Sequence, residues 1–66
     1  MISDPDIFGA AKLLIDRFGR GAHVRAAERA DNLLDEGDLN GAAVWRRILS
    51  AIEEMVHGRR PSDPLN

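Results

Sequence analysis

The sequence predicts an all-α domain of three helices, in which helices 2 and 3 form an antiparallel hairpin and helix 1 packs across it. Glycine-marked breaks divide the chain at Gly19, Gly21, Gly37 and Gly58. Between these breaks, apolar residues recur at intervals of three and four, which is the period of an α-helix. A chain of 66 residues without cysteine has room for one core and no disulfide. We therefore expect one domain over residues 1–58, followed by a proline-containing tail at 59–66.

Helix 1 is predicted over residues 5–18. Asp4 precedes a proline and is expected to cap the helix, with Pro5 as its first residue. The predicted buried stripe consists of Ile7, Ala11, Leu14 and Phe18, widened by Phe8 and Ile15. Gly19 is expected to end the helix.

Helix 2 is predicted over residues 22–36. Its expected inward stripe consists of two small and two larger apolar residues: Ala27, Ala30, Leu33 and Leu34. Its charges oppose its own dipole, because Arg25 and Arg29 lie near the start and the acids lie toward the end. Gly37 is expected to close this helix and Asp38 to cap the next, which places the acids near the positive end of helix 3.

Helix 3, predicted over residues 39–57, carries the strongest periodic signal. Two apolar stripes run along it: Ala42, Trp45, Leu49, Ile52 and Val56, and beside them Val44, Ile48, Ala51 and Met55. Together they fill about half of the helix surface, where a surface helix usually buries a sector nearer 100°. Helix 3 must then face two neighbours, which are helices 1 and 2 or one of these and a second chain. The candidate protein interface comprises Trp45, Ile48, Ile52 and Met55.

The charge balance of the chain disfavours nucleic acid as a partner. Nine basic and eleven acidic residues give a net charge of −2, whereas duplex-binding domains are usually strongly basic. The first residues carry no signal-peptide pattern, and no apolar run has the length of a membrane span. We expect a cytoplasmic protein without membrane contact.

A family resemblance rests on three short pieces of sequence. Arg29-Ala30-Asp31 is followed by Gly37-Asp38 and Gly41, and then by Val44-Trp45 with Arg47-Ile48, Ala51-Ile52 and Glu54. This pattern, over roughly residues 7–55, resembles a family of small, functionally uncharacterised bacterial helical proteins. The resemblance implies a compact all-helical domain without assigned chemistry. The chain departs from the pattern before helix 2, where Gly21 stands in place of an acidic residue.

Few residues form a pattern typical of catalysis or metal binding. His23 and His57 fall on different helices without the regular ligand spacing of a metal site. Ser50 lies on the polar face of helix 3 without a fixed base, and the adjacent Glu53 and Glu54 point about 100° apart. We therefore predict no catalytic residue, no metal ligand and no cofactor. Gly19-Arg20-Gly21 precedes an uncapped helix and is a weak candidate for anion binding.

Two functional hypotheses remain. The first is a non-enzymatic protein-interaction module that binds itself as a homodimer, or binds another protein, through the apolar face of helix 3. The alternative is a small regulator that contacts nucleic acid through an arginine-rich end. Its candidate contacts are Arg20, Arg25, Arg59 and Arg60.

Overall fold

The structure, a computed structural model, describes residues 4–57, and all regular structure within that range is helical. Helix α1 spans Asp4–Phe18, a short 3-10 helix spans Gly19–Gly21, α2 spans Ala22–Asp35 and α3 spans Leu39–His57. The predicted all-helical class is confirmed for these residues. The observed bounds differ from the predicted ones by one residue at the start of α1 and one at the end of α2. The predicted tail, with Arg59 and Arg60, lies outside the described residues.

The two ends of α1 show where local sequence chemistry sets a helix boundary. Asp4 is already helical, so the prediction that it caps the helix from outside is wrong. Pro5 then falls within the first turn, where its missing N–H has no carbonyl partner to lose. At the other end Gly19 has φ +55, a conformation that costs glycine little, and the chain turns into the 3-10 helix.

The turn between α2 and α3 satisfies the backbone groups of both helix ends. Gly37 has φ +83, and its N–H donates to the carbonyl of Leu34, while the N–H of Asp38 donates to that of Leu33. This pair of hydrogen bonds is the Schellman motif. The Asp38 carboxylate accepts a hydrogen bond of 2.9 Å from the backbone N–H of Gly41, which caps α3. The predicted roles of Gly37 and Asp38 are confirmed.

Helices α2 and α3 make the most extensive contact in the fold. His23 near the start of α2 contacts Glu53 near the end of α3, so the two helices run antiparallel. The buried residues of α2 are Ala22, Ala26, Ala30 and Leu33. The predicted stripe was therefore partly wrong, since Leu34 is 45% exposed and Ala27 is only partly buried. Methyl side chains along the inner face allow α3 to approach closely.

Helix α1 packs mainly against α3 and less against α2. The buried cluster shared by the helices is Ile7, Ala11, Ala22, Ala26, Ile48, Ala51 and Ile52. Ile52, at 1% exposure, is the largest fully buried side chain among the described residues. The broad apolar face of α3 thus has two neighbours within the same chain.

Candidate functional site

An open groove of about 320 Å³ lies where α1 and α2 meet above α3. Leu14 from α1 and Trp45 from α3 give it an apolar surface. The side contributed by α2 is polar and consists of Arg25, Glu28, Arg29 and Asn32. These α2 residues follow the helical spacing of three and four, so they lie on one face beside the buried alanine stripe. The groove can therefore contact both an apolar and an anionic group.

The charged side chains of the groove are available to a partner. The guanidinium carbon of Arg25 lies 5.0 Å from the centre of the Phe18 ring, which is a cation–π contact. Within residues 4–57, Arg25 and Arg29 form no salt bridge. Glu28 offsets one of the two positive charges, so the groove keeps a net positive charge.

The structure corrects half of the predicted interface. Ile48 and Ile52 are 5% and 1% exposed, because α1 and α2 cover that part of α3. Neither side chain has surface left to give to a second protein. The prediction that both form an interface is therefore wrong for this fold, and their apolar character serves the core.

The other two predicted interface residues are more accessible. Trp45 packs against the edge of the core and lines the groove, while Met55 is 40% exposed. Several other large apolar side chains are also exposed in the described part of the chain: Phe8, Leu13, Phe18, Val24, Leu34, Leu39 and Val56. The apolar surface available to a partner is thus spread over all three helices rather than concentrated on α3.

The structure describes two of the four residues of the predicted basic end. Arg20 lies in the 3-10 helix and Arg25 faces the groove, while Arg59 and Arg60 lie outside the described range. The N–H of Ala22 donates to the carbonyl of Gly19, which uses one of the donors proposed for an anion at the Gly19-Arg20-Gly21 turn. Among the residues that the structure describes, no side chain caps the start of α2.

Across residues 4–57, no three metal-ligating side chains converge. His23 Nε2 lies 3.1 Å from Glu53 Oε2, and both side chains are about half exposed. The side chain of His57 lies outside the described part of the chain. None of the helices in the described range has the length and apolar character needed to cross a membrane.

Sequence reasoning identified Trp45 and Arg25 as candidate contact residues but missed that they line one groove, together with Arg29 and Asn32 of α2. One signal for that face of α2 was present, namely the charges of α2 that oppose its dipole. With the observed helix bounds, the first turn of α2 contains no acidic residue and its last turn no basic residue, so the charges oppose the helix dipole as the sequence indicated. Comparison of the chain with protein-family models, curated proteins and solved structures gives no match.

Proposed function

We propose that this protein is a non-enzymatic protein-interaction module that associates with a second copy of itself. The observation that carries the proposal is the groove of Leu14 and Trp45, which is lined on one side by Arg25 and Arg29. Aromatic and arginine residues are the types most enriched where protein interfaces gain their binding energy. A groove with two arginines lacking carboxylate partners in residues 4–57 is suited to an apolar and acidic surface.

The small core gives independent support. Alanines form much of the buried cluster, and a domain of this size buries a smaller share of its surface than larger domains do. Burial of further apolar surface between two copies would add stability that one chain cannot supply alone. This favours association between two copies of the chain.

Light scattering behind size exclusion, across about a hundredfold dilution, tests the proposal because dimer populations follow mass action. We expect the mass to rise toward twice the 7.3 kDa of the chain as concentration increases. Leu39→Ser serves as the control variant, because Leu39 is 67% exposed and does not line the groove. We expect it to change stability by less than about 0.5 kcal/mol and to leave the mass unchanged from that of the wild type. A wild-type chain that stays at 7.3 kDa over the whole dilution range would contradict the proposal.

The nucleic-acid alternative is tested separately, by titrating labelled duplex DNA and single-stranded RNA at low salt. Binding that weakens steeply with salt and is lost in Arg20→Glu with Arg25→Glu would favour the alternative. We expect no binding, because the acidic residues outnumber the basic ones.

A further inference from the structure

We infer that two copies of this chain associate by pairing their α2 helices antiparallel, along a seam made of Arg25, Arg29, Asn32 and Glu36. This inference rests on the proposed function and names both its partner and its surface. All four residues are exposed, and three of them line the groove. The spacing is four, three and four, so at about 100° per residue they fall within a sector of about 60°. Glu36 continues that face, since it retains helical φ and ψ at the end of α2.

The seam carries positive charge in its first half and negative charge at its end. This order is unfavourable within one helix, because cations lie near the positive end of the dipole and acids near the negative end. It becomes favourable when a second α2 runs antiparallel beside the first. The positive half of each helix then faces the negative end of the other.

The charge order of the seam selects one register of the two helices. A two-fold axis between positions 30 and 31 places Arg25 opposite the partner's Glu36 and Arg29 opposite the partner's Asn32. Because the interface is symmetric, each contact occurs twice. Arginine can make two parallel hydrogen bonds to the Glu36 carboxylate and can also donate to the Asn32 side-chain oxygen. In this register Glu28 lies opposite position 33, which is a buried leucine. The partner therefore places no acid directly opposite Glu28.

The groove gives this pairing its apolar component. Arg25, Arg29 and Asn32 border Trp45 and Leu14, so a partner helix seated on the seam covers the mouth of the groove. Trp45 is the only tryptophan in the chain. Its fluorescence therefore reports whether the groove becomes covered when two copies associate.

Charge reversal provides the test. In the Arg25→Glu variant, positions 25 and 36 are both acidic, so two acids face each other at each end of the seam. In the Glu36→Arg variant, both positions are arginine, so two arginines face each other there. Like charges that face each other disfavour association, so we expect each variant to raise the dimer Kd about a hundredfold. An equimolar mixture of the two variants restores both attractive pairs, and we expect it to form a dimer of wild-type strength. Arg46→Glu is the matched control, because Arg46 is exposed on α3 and does not line the groove.

The readouts are mass by sedimentation and the emission wavelength of Trp45, with circular dichroism to establish that each variant is folded. Arg25→Glu also removes the cation–π contact with Phe18, whereas Glu36→Arg leaves that contact intact. The two variants together therefore separate effects on folding from effects on pairing. We expect high salt to weaken the wild-type dimer.

Two results would overturn the inference. A wild-type dimer that Arg25→Glu affects no more than Arg46→Glu, with no rescue in the mixture, would place the interface elsewhere and leave the proposed function standing. A wild-type chain that is monomeric throughout would remove the seam and the proposed self-association together.

Discussion

The capping interaction at the start of α3 makes a quantitative prediction about Gly41. Replacement of a helical glycine by alanine usually stabilises a helix by about 1 kcal/mol. In this structure a Cβ at position 41 would lie 2.5 Å from Oδ2 of Asp38, which is too close for the carboxylate to stay in place. The carboxylate must then move away from the Gly41 N–H, to which it is bonded at 2.9 Å. Loss of such a cap costs about 0.5–2 kcal/mol, so the two effects should nearly cancel in Gly41→Ala.

A double-mutant cycle isolates this coupling. Asp38→Ala alone should lower the free energy of unfolding by about 1 kcal/mol. When the cap is already absent, Gly41→Ala should recover about 1 kcal/mol, because no carboxylate opposes the new methyl group. Urea denaturation followed by circular dichroism measures all four proteins, at equal concentration so that association contributes equally. Equal stabilisation by Gly41→Ala in both backgrounds would refute the predicted conflict between Cβ and cap.

Three further substitutions test the fold. Ile52→Ala should destabilise the protein by about 2–5 kcal/mol and Ile52→Val by about 0.5–1.5, since the side chain is fully buried; a smaller effect of the alanine variant in thermal denaturation would contradict its place in the core. Gly37→Ala should cost about 1–2 kcal/mol because its φ is +83, and an unchanged denaturation midpoint would argue against that conformation. Glu53→Gln should cost less than about 1 kcal/mol, because its contact with His23 is half exposed; a larger loss in urea titration would indicate a tighter pair.

The sequence was most informative where the chemistry is local. Gly37 and Asp38 could be assigned because a positive φ and a side-chain acceptor are requirements that few residue types meet. The inward face of α2 was harder to assign, because its alanines occur at several angles around the helix. Ala22 and Ala26 lie in the buried cluster shared with α1 and α3, and packing against these helices rather than local preference selects that side.

Two of the four predicted interface residues, Ile48 and Ile52, are buried for a different physical reason. Periodicity shows that half of α3 is apolar, but it does not show how that half is divided between neighbours in the same chain and a partner. Helices α1 and α2 cover Ile48 and Ile52 and leave Trp45 at the edge of a groove. How α1 and α2 pack against α3 decides which apolar residues of α3 stay accessible to a partner. The reversed charges of α2 were visible in the sequence, but their meaning depends on Arg25 and Arg29 facing the same groove.

The most direct measurement of the antiparallel seam is a distance between two copies. The chain contains no cysteine, so Asn32→Cys introduces a single site for a spin label. With helix axes 8–10 Å apart, Cα atoms about 2.3 Å from each axis and a rise of 1.5 Å per residue, the two Cα atoms at position 32 should be about 6–8 Å apart. We expect strong dipolar broadening of the label at position 32 and none at Arg46→Cys under conditions where the mass is doubled. A label at position 32 as sharp as the one at position 46 would contradict the account.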